Sequence, residues 1–529
     1  MSSLRRVASA AVLVAGLALS GCTSASGPAS EGGFAGAGSG SVPTSGDAAS
    51  APVLQPLASE VPADLERYYE QKLVWGACDG GFQCATMKVP LDYAAPTAGD
   101  ITLGLVRKTA GGGGYQRLGS LLINPGGPGG SAIQYAEYAA ETFPTPVRDS
   151  YDIVGLDPRG VGRSTPVSCL TNQQMDAFTA VDSTPTTQAE VDRLVAADKA
   201  FAAGCEKMSG KLLEHVSTVD AARDMDVLRS LLGDAKLNYL GKSYGTFLGA
   251  TYAGLYPSRV GKMVLDGAMN PSLTALQMDS QQAGGFETAF DAFARDCVAR
   301  SGCPVGSTTI AAADRKLDEL FTSLDAKPLP TGQPRALDEA LGMTGVIAAM
   351  YDQEQWPQLR SALSQAEAGD GAGLLALSDQ YYERDATGHY SNLMYANAAV
   401  NCLDLPAAAT DPKQVEQQLP GYEQASPQFG ASLAWSGLTC AYWPVKPTGM
   451  QHTIPAKGAG PILVVGTTRD PATPYAWAQG LAAQLESGTL LTYNGDGHTA
   501  YARGDQCIDS AVNTYLLTDR PPAKGTVCQ

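Results

Sequence analysis

The chain has 529 residues, 44% of them hydrophobic and 17% charged, more than one ordinary core needs, so a large domain carrying an insertion is expected. With 36 basic against 53 acidic residues the formal charge is −17. That balance argues against a nucleic-acid partner, because nothing would neutralise the phosphates.

Residues 1–21 read as a lipoprotein signal peptide. Arg5 and Arg6 form its charged start, and Ala8 to Leu19 form an apolar stretch too short to span a bilayer. Leu19-Ser20-Gly21-Cys22 resembles the bacterial lipobox, which implies cleavage before Cys22 and acylation of its thiol. A plain signal peptide with a chance cysteine is the alternative. Acyl chains there would hold the protein at a membrane surface. The expectation is an exported protein, lipid-anchored on the outer face of the cell membrane, with extracellular release as a variant. Residues 22–58 are rich in Ser, Gly, Ala and Pro and read as a flexible tether.

Residues 59–271 carry the first part of a core. Ala85 to Leu91 and Ile101 to Lys108 read as strands around a turn at Pro96 to Asp100. Apolar runs follow at Gly119 to Asn124, Tyr151 to Asp157, Leu237 to Gly241 and Lys262 to Asp266. Thr218 to Leu232 has helical periodicity. Residues 272–400 are rich in Ala, Leu, Gln and Asp, helical in pattern, and read as a cap inserted into the core. Residues 401–529 return to finish it, with strands at Pro461 to Thr467 and Gly488 to Asn494. A helix from Pro474 to Leu485 lies between them, with Thr473 placed as its N-cap. Buried apolar strands alternating with helices predict an α/β protein with a mostly parallel central sheet flanked by helices.

Gly241-Lys242-Ser243-Tyr244-Gly245 matches G-x-S-x-G. The apolar strand before it and the helix expected from Thr246 to Leu255 make it a nucleophile elbow of the α/β-hydrolase fold, with Ser243 as nucleophile. Gly-Lys-Ser also ends a phosphate-binding P-loop, but that motif needs glycine where Lys236 stands, so no nucleotide site is expected. Asn124-Pro125-Gly126-Gly127-Pro128-Gly129-Gly130 follows a strand and predicts an oxyanion hole, with N–H donors from Gly127 and Tyr244. The base is expected late in the chain, after a strand, which selects His498 over His215, His389 and His452. Asp470 follows the preceding strand and is the expected acid. Asp266, at an earlier strand end, and Asp496, two residues before His498, remain competitors.

Beyond Cys22 the ten cysteines fall as neighbours: Cys78 and Cys84, Cys169 and Cys205, Cys297 and Cys303, Cys402 and Cys440, Cys507 and Cys528. Five disulfides suit an oxidising compartment, although spacing alone does not fix their pairing. With four histidines and no C-x-x-C pair, no metal site is expected.

The motifs NPGGPGGS, GLDPRGVGRS, GKSYGTFLGATYA, VLDGAMNP, TTRDPATP and GHTAY resemble the secreted tripeptidyl aminopeptidases of actinobacteria, within the proline-iminopeptidase-like serine exopeptidases. The resemblance runs from about Trp75 to Cys528 and is weaker through the cap. It implies an enzyme without a cofactor that removes short peptides, often tripeptides, from free N-termini. Such an enzyme needs a carboxylate for the substrate ammonium, since a buried unpaired charge is costly. Glu287 and Asp404, which flank the cap, are candidates, and a purely structural role is the competing reading of each. An esterase or lipase on the same scaffold, or a lipoprotein that binds peptides without cleaving them, are the other functional readings.

Overall fold

A computed structural model describes residues 51–306 and 309–529. The signal peptide, Cys22 and the tether up to residue 50 lie outside the described residues. Ten strands form one sheet: β1 (Gly76–Cys78), β2 (Phe82–Pro90), β3 (Asp100–Lys108), β4 (Ser120–Asn124), β5 (Asp152–Leu156), β6 (Leu237–Lys242), β7 (Val260–Asp266), β8 (Ile462–Arg469), β9 (Gly488–Asp496) and β10 (Val527–Cys528). Their order is β1-β2-β3-β5-β4-β6-β7-β8-β9-β10. The first strands pair antiparallel through β3–β5, and every pair from β5–β4 to β9–β10 is parallel.

Strand alternation explains how helices cover both faces. Leu122, Val154, Tyr239, Leu265 and Val464 point to one side, where they pack with helices Thr218–Leu231, Tyr244–Leu255 and Tyr475–Gln484. Leu121, Ile123, Ile153, Leu240 and Val465 point to the other, against helices Ala132–Thr142 and Gln506–Thr518. Strands β4 and β5 are buried along their whole length, which is why they read as continuous apolar runs.

Between β7 and β8 the chain leaves the sheet and builds helices from Ala275–Val298 through Gly430–Ser436. Their own core centres on Phe286, Phe290, Phe293 and Trp356. The helices run on past position 400, where the sequence pattern closes the cap. Asp411 caps helix Pro412–Ala425 through the Gln414 N–H, and no strand begins before Ile462.

The tether also ends earlier than its composition suggests. Leu54 N–H bonds Thr453 O at 2.9 Å, Thr453 N–H bonds Pro52 O at 2.8 Å, and Leu57 N–H bonds Leu255 O at 2.9 Å. The Leu54 side chain packs on the core beside Gly254 and Ile454. Backbone hydrogen bonds and the one packed side chain, Leu54, dock this segment, while Val53 and Leu57 stay exposed. Thr473, expected as an N-cap, makes no cap bond; helix Tyr475–Gln484 starts after Pro474 without one. The short edge strands β1 and β10 were not anticipated.

All five neighbouring cysteine pairs are disulfide-bonded. Among the described residues no helix is long and apolar enough to cross a membrane.

Candidate active site

Ser243 sits between β6 and helix Tyr244–Leu255 at φ 56° and ψ −127°. Positive φ is costly for a residue with a side chain, so neighbours must enforce it. They do: the Ser243 N–H bonds Asp266 O on β7 at 2.9 Å, and its carbonyl accepts the Thr246 N–H at 2.8 Å and the Thr246 hydroxyl at 2.6 Å. Gly241 makes the sharp turn feasible, since a Cβ there would lie 2.3 Å from Gly245 O.

The loop after β4 lies against this elbow. A Cβ at Gly126 would lie 2.5 Å from Lys242 O and 2.8 Å from Ser243 Cβ, and its φ is +98°. Only glycine permits that approach. Gly126 N–H is held by Asn124 Oδ1 at 2.9 Å, and Gly126 O accepts the Gly130 N–H at 3.0 Å. Gly127 and Ser243 line the same cavity. Tyr244 opens its helix, so its N–H has no intrahelical acceptor.

His498 follows β9. Its Nδ1 lies 2.8 and 3.0 Å from the two oxygens of Asp470, a residue 2% exposed. Asp470 Oδ1 also accepts the Ala472 and Thr473 N–H groups at 3.0 and 2.8 Å, and Oδ2 accepts the Thr499 N–H at 3.1 Å. This satisfies a buried carboxylate in its ionised form and fixes the ring tautomer with the proton on Nδ1. The Thr473 hydroxyl approaches the same Nδ1 at 3.3 Å. The other ring nitrogen, Nε2, is buried and without a hydrogen-bond partner among the described residues. The ring stands over Gly267, next in chain to the Asp266 whose carbonyl holds the Ser243 N–H; a Cβ at Gly267 would lie 3.2 Å from His498 Cε1. No hydrogen bond joins Ser243 Oγ to Nε2, a contact that ligand-free hydrolases commonly tighten only with substrate.

The competing acids have other work. Asp266 is fully buried and accepts the Ala500 N–H at 2.9 Å and the Tyr501 N–H at 3.0 Å, which pins the loop just after His498. Burial raises its pKa, with Lys242 3.8 Å away acting against that rise. Asp496 pairs with Arg469 at 2.6 Å. Of the other histidines, His215 ends the short helix Gly210–His215 and His389 lies in a tight loop of the cap. His452 is half-buried rather than on the surface, with its ring tilted against Phe247.

The cap helps hold the imidazole. The His498 N–H bonds Tyr351 O at 2.8 Å, and the Tyr351 ring meets the imidazole edge-on at 5.5 Å. Arg503 donates to His498 O at 3.0 Å and pairs with Asp352. Helix Ala275–Val298 crosses the acid loop, where Gln282 Nε2 bonds Ala472 O at 2.7 Å.

A cavity of about 480 Å³ lies beneath the cap and reaches Ser243. Glu287 and Asp404 do not line it. Glu287 accepts the Ser426 hydroxyl at 2.7 Å and the Gln428 N–H at 3.1 Å. Asp404 accepts the Thr218 N–H at 2.8 Å and so serves the start of helix Thr218–Leu231. Both carboxylates are spent on packing the cap and core, which corrects the expectation for each. The carboxylates on the wall are instead Asp198 and Asp279. A signal for them existed. In helix Gln188–Ser209, Asp198 falls on the face of Val191, Leu194, Phe201 and Cys205. In helix Ala275–Val298, Asp279 falls on that of Ala283, Phe286 and Phe290. A charge on an apolar face is the informative exception.

A serine at a strained elbow, a glycine loop packed against it and an Asp–His pair across the sheet top define a serine hydrolase of the α/β-hydrolase fold. Residues 426–528 match the family model described as "TAP-like protein". The chain is 39% identical over 459 residues to serine protease Hip1 of Mycobacterium tuberculosis, covering 85% of this chain and 88% of that one. It is 37% identical over 540 residues to carboxylesterase B of the same species, covering 99% and 98%. With tripeptidyl aminopeptidase of Streptomyces lividans it shares 34% over 460 residues, covering 84% and 83%. The chain belongs to this TAP-like family of serine hydrolases.

Proposed function

We propose that the protein is an exported serine exopeptidase that releases short peptides, tripeptides foremost, from free N-termini. The observation that carries this reading is the cavity under the cap. Its volume of about 480 Å³ is that of a small-ligand site, so the nucleophile is offered to a chain end rather than to the middle of a folded protein. Two of the relatives are named as peptidases.

Ser243 Oγ attacks the scissile carbonyl while His498 Nε2 takes the hydroxyl proton. Gly127 and Tyr244 N–H groups stabilise the oxyanion. The C–N bond breaks as the imidazolium returns its proton to the leaving amine, and Asp470 stabilises the ring while it is charged. Water then attacks the acyl-enzyme with His498 again as base, and the peptide leaves with a free carboxylate.

The test is a ladder of peptides with free N-termini read by mass spectrometry. Release of fragments of one fixed short length from the N-terminal end is expected; internal cleavage or no cleavage would overturn the reading. An esterase is the second reading, favoured by the 37% likeness to a relative named carboxylesterase B. Faster turnover of simple esters than of matched free-amine peptides would select it.

Export and acylation at Cys22 complete the proposal. Five disulfides support an oxidising compartment. Replacing Cys22 by Ser is expected to move the protein from the membrane fraction to the medium.

A further inference from the structure

Among the described residues, Asp198 and Asp279 are the only acidic or basic side chains on the wall of the cavity that reaches Ser243. No Lys, Arg or His shares that wall, and neither aspartate forms an ion pair among the described residues. Asp198 is 2% exposed; its Oδ1 accepts the Thr439 hydroxyl at 2.9 Å, while Oδ2 is buried and unpaired. Lys199, its chain neighbour, turns away to stand 4.8 Å over the Tyr442 ring. The Asp279 carboxylate makes no hydrogen bond among the described residues and lies beside Gly437, where a Cβ would be 3.4 Å from Oδ2. Both aspartates therefore border one short segment, Gly437 to Thr439.

An unpaired carboxylate beside an apolar wall costs several kcal/mol unless a cation meets it. Burial pushes both aspartates up to about 7.

We propose that Asp198 and Asp279 together bind the α-ammonium group of the substrate's N-terminus. This rests on the exopeptidase reading above and names the group that makes the enzyme require a free amine. Helix Ala275–Val298 sets Asp279 back from the acid loop by about the length of a short peptide. Gly285 abuts Pro471 O in the acid loop, where a Cβ would lie 2.4 Å from it. Asp279 stands six residues earlier in helix Ala275–Val298, about 9 Å along its axis. Three extended residues span about 10 Å.

The experiment compares Asp198→Asn, Asp279→Asn and the double variant with the wild type. The substrates are Ala-Ala-Ala-p-nitroanilide and its N-acetyl form, and a fluorophosphonate probe certifies that each variant folds with an active serine. For the wild type the ratio of kcat/KM for free over acetylated substrate is expected to be well above one. Each variant is expected to lower that ratio roughly 10- to 100-fold, the loss of one charge-assisted bond, mainly through KM for the free amine. A wild-type ratio near one would overturn the exopeptidase reading and this proposal with it. A high wild-type ratio that survives in labelled single and double variants would overturn the ammonium site alone. Should one single variant fail to label, the other still decides.

Discussion

At the scale of single residues, the proposed chemistry rests on the Asp470–His498 pair, with Asp266 in indirect support. Asp470 touches the ring, whereas Asp266 touches the backbone behind it. Asp470→Asn keeps the shape but offers an amide donor to Nδ1, which favours the wrong tautomer. It is expected to lower kcat/KM by about 10⁴-fold. Steady-state kinetics on a tripeptide anilide checks this, with Asp496→Asn, which loses only the Arg469 pairing, expected to stay near wild type. Gly126→Ala forces a Cβ into Lys242 O and Ser243 Cβ and displaces the oxyanion loop. A loss of at least about 100-fold in kcat is expected, the effect of one missing donor. The sequence singles these residues out because each lies at or just after a strand end, Gly126 and Ser243 in glycine-rich turns and Asp470 in a proline-flanked loop without glycine. Glu287 and Asp404 were misplaced because proximity to the cap says nothing of which face of a helix points inward. Asp198 and Asp279 were readable only from the periodicity of their own helices.

Among elements, the segment after helix Glu339–Met350 links the cap to the His498 loop, as Gln282 links it to the Asp470 loop. Tyr351 and Asp352 grip the loop of His498 and Arg503 by one backbone bond, one ring contact and one ion pair. Asp352→Ala removes the ion pair without touching the cavity wall. Displacing a catalytic group by about 1 Å can cost on the order of 100-fold. A drop in kcat of roughly 10- to 100-fold is expected, with the melting temperature nearly unchanged. Equal kcat in the variant would show that the cap does not position the imidazole. This link has no sequence signature, because a backbone carbonyl accepts a bond whatever its side chain. The parallel strands, by contrast, were evident as apolar runs, since β4 and β5 are covered on both sides. Edge strands β1 and β10, with three and two residues, are too short to show a pattern.

Across the whole molecule, buried acids and disulfides set the response to conditions. Burial pushes Asp198, Asp279, Asp404 and Glu339 each up to about 7. The folded protein binds their protons more tightly than the unfolded chain, whose carboxyls titrate near 4. Their stabilisation is present below about pH 4 and lost as pH rises through about 7. His452, lowered by burial, acts in the opposite sense, but it stands against these four and Asp338, which burial raises to about 6. The melting temperature is therefore expected to fall between pH 5 and pH 8, as calorimetry would record. The Cys507–Cys528 bond joins helix Gln506–Thr518 to β10 across a sequence separation of 21. Replacing both by Ser is expected to cost about 3 kcal/mol in urea unfolding, the loop-closure term for that length.

The whole account stands on one nucleophile beneath the cap, and covalent labelling reaches it most directly. Incubation with a fluorophosphonate followed by peptide mapping is expected to give a single adduct on Ser243, none in Ser243→Ala, and much slower labelling in His498→Ala. An adduct on another residue, or equal labelling of Ser243→Ala, would contradict it.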